Sequence, residues 1–151
     1  MKLFLLKRNI SQYTFPDIFL GCFNSLENAN IAREQYLSQY QHGRKIDPWK
    51  EQGYKTVDLE KDVEIIGNLP IFGVTDTSQF VFVVNSYSEG FGQIMRMFYA
   101  ICGTEEFAKE KLREMKEKWE DMFDQYFLAE KFNLNDLYPD DNLQDNYWLD
   151  D

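Results

Sequence analysis

Apolar positions along this chain change period several times, and each change marks an element. Leu3 to Leu6 form a short apolar run between Lys2 and Lys7, and Ile18 to Phe23 form a second one ending at Asn24-Ser25. Both runs read as strands, with Pro16 marking the turn before the second. Asn24-Ser25 suits a helix cap, because a short polar side chain there accepts from the unpaired N–H groups of a first turn. From Leu26 onward Ala29, Ala32, Tyr36 and Tyr40 recur at helical spacing, until His42-Gly43 stops the helix. A polar loop follows from Arg44 to Gly53, and then Tyr54 to Leu59 alternates as a third strand, which Val63 to Ile66 prolong or follow.

The second half runs through the same order. Gln79 to Asn85 (QFVFVVN) is β-branched or aromatic almost throughout and predicts a strand; Ser86 to Gly92 predicts a turn or loop; Ile94 to Cys102 predicts another strand. Gly103-Thr104 then caps a helix whose first turn holds Glu105 and Glu106, where the helix dipole favours negative charge. Its apolar positions Ala108, Leu112, Met115, Trp119 and Met122 carry it to about Gln125, and Phe127 to Leu134 reads as a closing strand.

Laying Phe19 to Ser25 on Phe98 to Thr104 brings Ala29, Tyr36 and Tyr40, at the same offset, onto Ala108, Met115 and Trp119. Strand, cap and helix phase agree together, which points to an internal duplication of a ββαβ unit. The expected units are residues 1–75 and 76–138, sharing one core, followed by a tail at 139–151. Two such units either pair their sheets or stack their helices on one shared sheet. The expected fold is therefore α+β, an antiparallel sheet with two main helices packed on it.

The stretch Phe19-Leu20-Gly21-Cys22-Phe23, the cap Asn24-Ser25, the alanine-containing helix, Gly53-Tyr54 and the close on Asp58-Leu59-Glu60 resemble a family of small uncharacterised bacterial ββαβ domains. The resemblance covers most of the first half and, more faintly, the second. It implies a fold, in tandem copies, and brings no catalytic residue with it.

Composition narrows the function. At 151 residues, 44% of them apolar and 17% aromatic, the chain supplies a core without disulfide staples. Its longest apolar runs, at Phe80 to Val84 and Leu3 to Leu6, fall far short of the roughly 20 residues of a membrane helix. The four apolar residues after Lys2 are too few for a secretory signal, so a cytoplasmic protein is expected, with Cys22 and Cys102 reduced and buried. Positions 1–75 balance nine Lys/Arg against nine Asp/Glu, while positions 76–151 hold seven against seventeen, so the whole net charge of −10 lies in the second half. Such a charge repels nucleic acid and anionic lipid and favours a cationic partner.

Motifs for chemistry are sparse. His42 is the single histidine, so any zinc site or Ser/His or Cys/His dyad would run through one residue, placed where a helix end favours it electrostatically. Gly90-Phe91-Gly92 has Met95 where a dinucleotide loop needs its third glycine, and it precedes a strand instead of a helix. Asp136, Asp140, Asp141 and Asp145 lack the alternating ligands and central glycine of a calcium loop. No cofactor, metal site or enzymatic activity is expected.

The final stretch, DLYPDDNLQDNYWLDD, holds six aspartates and no Lys or Arg, yet also Leu143, Tyr147, Trp148 and Leu149. Acids with aromatic anchors suit a basic surface that contains an apolar pocket. The expected partner-binding residues are Asp136, Asp140, Asp141, Asp145, Tyr147, Trp148, Asp150 and Asp151, with folding of the aromatics back onto the domain as the alternative. In general character the chain is similar to cytosolic immunity proteins, which neutralise antibacterial toxins; a phage inhibitor of host defence shares the same features. The function expected is non-enzymatic binding and inhibition of a basic protein. The alternative is a duplicated ligand-sensing or structural domain without such a partner.

Overall fold

In the computed structural model the described residues are 1–9, 17–41, 59–90, 93–119, 124–138 and 148–149. In chain order they form β1 (Phe4–Arg8), β2 (Ile18–Phe23), α1 (Leu26–Gln41), α2 (Leu59–Asp62), β3 (Val63–Ile66), β4 (Ile71–Phe72), β5 (Phe80–Gly90), β6 (Gln93–Cys102), α3 (Glu105–Trp119), β7 (Asp124–Asn133) and β8 (Trp148–Leu149). The fold is α+β. Its strands make two sheets instead of one, in the orders β2-β1-β3 and β4-β6-β5-β7-β8, antiparallel except where β4 runs parallel to β6.

Alternation along the strands divides the apolar side chains among three cores. Leu6, Leu20 and Phe23 face α1, joining Ala29, Ala32, Tyr36 and Leu37. Phe82, Val84, Ala100 and Cys102 face α3, joining Ala108, Leu112 and Met115. The opposite faces meet one another: Leu3, Leu5, Phe19 and Cys22 pack against Val81, Val83, Ile101 and Phe132. The layers therefore run α1, first sheet, second sheet, α3. Burying a side chain of this size contributes about 1.5–3 kcal/mol, so the middle layer alone is a large share of the drive to fold.

Both helix caps sit where the sequence puts them. Ser25 Oγ accepts from Asn28 N at 3.0 Å, and Thr104 Oγ1 accepts from Phe107 N at 3.2 Å. Each sheet carries one bulge at matching places. Leu6 pairs with Gly21 and Lys7 with Phe19, leaving Leu20 as the extra residue; Val84 pairs with Ala100 and Asn85 with Phe98, leaving Tyr99 extra.

Several expectations need correction. The segment 86–90, read as turn or loop, continues β5, because β6 and β7 pair with it on both sides. The second helix ends at Trp119 and not near Gln125, since Asp124 and Gln125 already pair with Glu89 and Ser88. Leu134 lies beyond the end of β7, and Leu59 opens α2 instead of closing a strand. The remainder of the expected third strand, 54–58, and the loop 44–53 lie outside the described residues.

Candidate functional site

The predicted site divides on the structure. Asp140, Asp141, Asp145, Tyr147, Asp150 and Asp151 lie outside the described residues, as does His42. Asp136 is exposed, in a turn that carries the chain from the end of β7 across to the first sheet. Asn135 shapes that turn with a left-handed backbone at φ 68°, which asparagine tolerates better than most residues. Its N–H donates to Cys22 O at 2.9 Å, and its Oδ1 accepts from Asn24 N at 3.0 Å and Asn28 Nδ2 at 3.3 Å. Tyr138 N donates to Leu20 O at 2.7 Å, its hydroxyl accepts from Asn133 N at 2.9 Å, and its ring meets Phe132 edge-on at 5.0 Å. Residues 135–138 thus cover the open edge of β2, and Gly21 makes room for them: a Cβ there would lie 2.5 Å from Asp136 O.

The other flank of the acidic stretch is held as well. Trp148 pairs with Glu130 and Leu149 with Ala129, so β8 lies antiparallel on the outer edge of β7, beside α3. Between β5, β7 and the start of α3 opens a cleft of about 350 Å³, lined by Phe80, Phe82, Lys131, Gly103, Thr104 and Glu105. Phe80 and Phe82 meet edge-to-face at 5.7 Å, and Lys131 Nζ stands 4.1 Å from the centre of the Phe80 ring.

A second polar arrangement escapes a reading of the sequence. Arg96 and Glu130 form an ion pair between the two sheets, their side chains each 1% exposed. Asn85 joins them: its Oδ1 accepts from Arg96 Nε at 3.1 Å, and its Nδ2 donates to Glu130 Oε1 at 3.1 Å and to Val83 O at 2.9 Å. Arg96 Nη1 reaches Asp17 O at 2.9 Å, and the guanidinium stacks 3.8 Å over Phe19 and 4.8 Å from the ring centre of Tyr87. The only signal in the sequence is a charged residue within each of two strands, and nothing there links positions so far apart. These groups satisfy one another, so the arrangement fastens the sheets and has the character of a tie.

Around α3, Glu114 accepts from Lys111 Nζ at 3.1 Å and from the Tyr99 hydroxyl at 3.2 Å, while Lys111 lies 3.9 Å over Phe72. Burial, reinforced by Glu114, raises the Tyr99 pKa. For Lys111 burial acts downward, but the Glu114 hydrogen bond and charge outweigh it and the pKa rises. The group pins β4 and the bulge residue of β6 to the helix. Burial pushes both thiols, Cys22 and Cys102, up to about 12, which removes the thiolate needed of a nucleophile at neutral pH.

Among the described residues no three His, Cys, Asp or Glu side chains gather closely enough to hold a metal ion, and no helix is long and apolar enough to cross a membrane. Comparison with protein-family models, with curated proteins and with solved structures found no match to this chain.

Proposed function

We propose that the protein is a non-enzymatic acidic binder that blocks a basic protein partner, in the manner of an immunity protein neutralising an antibacterial toxin or a phage inhibitor of host defence. One observation carries this reading: both flanks of the acidic, aromatic C-terminal stretch are attached to the folded body, at Tyr138 on β2 and at Trp148–Leu149 on β7. An acidic run fixed at both ends loses less conformational freedom on binding than a free tail, so more of its contact energy remains as affinity. Its charge steers the encounter with a basic surface, and the aromatics Tyr147 and Trp148 supply contacts for its apolar pocket.

The body behind the tail reads as a duplicated ββαβ unit. In support, the two sheets share the strand order second-first-third, with the bulge at Leu20 in one and at Tyr99, its counterpart when Phe19 is laid on Phe98, in the other. The segment after each third strand crosses to the other sheet: Ile71–Phe72 pair with β6, and residues 135–138 with β2. Asn68 and Asn135, with φ 54° and 68°, shape the two crossings.

The test is capture of partners from native cells by the tagged full chain and by a chain ending at Tyr138, followed by association kinetics with the recovered partner. A stoichiometric basic protein held by the full chain alone is expected. Reversing Asp140, Asp141 and Asp145 to Lys should slow association and flatten its salt dependence; unchanged rates would overturn the reading.

A further inference from the structure

The cleft between β5, β7 and the start of α3 sets two opposite charges around an aromatic floor. Phe82 and Lys131 are register partners on β5 and β7, so both side chains stand on the α3 face of the sheet, and Phe80 lies two residues along the same face. Phe80 and Phe82 form the floor, with Lys131 Nζ over the Phe80 ring. Lys7, Arg33, Arg96 and Lys111 each meet a carboxylate. Lys131, in a chain of net charge −10, meets none among the described residues. The other wall is the first turn of α3, a helix of 15 residues whose positive dipole end faces this region. Thr104 Oγ1 accepts from Phe107 N there, which leaves the hydroxyl proton to donate, and Glu105 brings a carboxylate to the same cavity.

We propose that this cleft binds a small zwitterion bearing one aromatic ring, of which an aromatic α-amino acid is the simplest case. Lys131 and the Thr104 hydroxyl donate to its carboxylate, Glu105 accepts from its ammonium, and its ring lies against Phe80 and Phe82. Each other ligand class leaves a lining group unmatched. A phosphate sets two charges against Glu105 with a single lysine to balance them, and a purely apolar molecule takes Lys131 and Glu105 out of water without a partner for either. At about 350 Å³ the cavity lies at the small end of the roughly 300–1,000 Å³ of small-molecule sites, which suits one ring with a short polar end. The site goes beyond the binding of a basic protein and stands without it.

The test titrates the isotope-labelled full chain with three compounds and follows the backbone amide signals of Gly103, Thr104 and Lys131 by NMR. Free phenylalanine should shift them saturably, with a dissociation constant of about 0.1–1 mM. Phenylpropionate, which lacks the ammonium, and phenylethylamine, which lacks the carboxylate, should each bind about fivefold more weakly or worse. Lys131→Met should weaken phenylalanine about fivefold and leave phenylethylamine no weaker, while Glu105→Gln should weaken phenylalanine and leave phenylpropionate no weaker. The compound series is read on the unaltered chain, so it decides the question even where a variant folds poorly. Absence of a saturable shift up to about 10 mM phenylalanine would overturn the site. Equal binding of phenylalanine and either single-charge compound, or phenylalanine affinity indifferent to both substitutions, would overturn it as well.

Discussion

Each of the two sheets buries an arginine, the first on the side that faces its helix and the second on the side that faces the other sheet. In the first, Arg8 on β1 is 1% exposed and faces α1, where its Nη1 donates to the Tyr36 hydroxyl at 2.8 Å. In the second, Arg96 on β6 lies between the sheets and meets a carboxylate, Glu130, with Asn85 bridging the two. In the middle layer a carboxylate neutralises the guanidinium and an aromatic ring from the first sheet stacks on it. The difference teaches that the second half carries the fastening between the sheets as well as the acidic excess.

The largest expected effect comes from breaking that fastening on one side. Glu130→Ala leaves Arg96 buried without its carboxylate and should cost about 3–5 kcal/mol in urea unfolding, a large part of a typical domain's stability. Replacing both Arg96 and Glu130 with Met should cost much less than the single change, since the double variant strands no charge. A cost below about 1 kcal/mol for Glu130→Ala would mean the pair fastens nothing. Tyr36→Phe is the matching test in the first half. It removes one charge-assisted hydrogen bond and should cost about 1.5–3 kcal/mol, less than the Glu130 change. If it costs more, the outer arginine is the more critical of the two.

Next in size are the crossings between the sheets. Gly21→Ala drives a Cβ into Asp136 O and should cost about 1–3 kcal/mol while speeding amide exchange at Tyr138. Gly103→Ala strikes the backbone of Gly73 on the other crossing and should cost a similar amount. Similar costs would support the proposed duplication; a silent change at either glycine would count against it.

Much of this architecture is legible in the sequence. The strand Ile18–Phe23, both helix starts and their caps, and the buried positions Ala29, Tyr36, Ala108, Leu112 and Met115 follow from period and cap chemistry. What the sequence hides is where tertiary pairing overrides local preference. Ser86 and Ser88 carry a turn composition, yet both are buried because neighbours on two sides hold them in β5. Nothing between Trp119 and Asp124 signals a helix stop to a reader of period alone. At the candidate site, Trp148 stands out as an anchor, but the strand it pairs with, at Glu130, lies well before it in the chain and bears no local mark of that pairing. Arg96 and Glu130 look like solvated charges on strands, and only the facing of the two sheets buries them.

The smallest effect expected near neutral pH concerns the cysteines, one on each sheet. Cys22 faces the middle layer and Cys102 faces α3, and burial raises both from an ordinary 9.0 to about 12. A raised pKa means that the folded state holds the proton more tightly than the unfolded state does. The thiols' contribution to stability is then fully present below about pH 9 and is lost as the pH climbs towards 12. At pH 8 neither thiol should react with an aromatic disulfide reagent until the chain is unfolded, and replacing either cysteine with alanine should reduce the loss of melting temperature between pH 9 and 11. Prompt labelling of one thiol in the native chain would show that its sheet opens locally. Because Cys22 lies between the sheets behind the 135–138 crossing, Gly21→Ala should accelerate labelling at Cys22 and leave Cys102 protected.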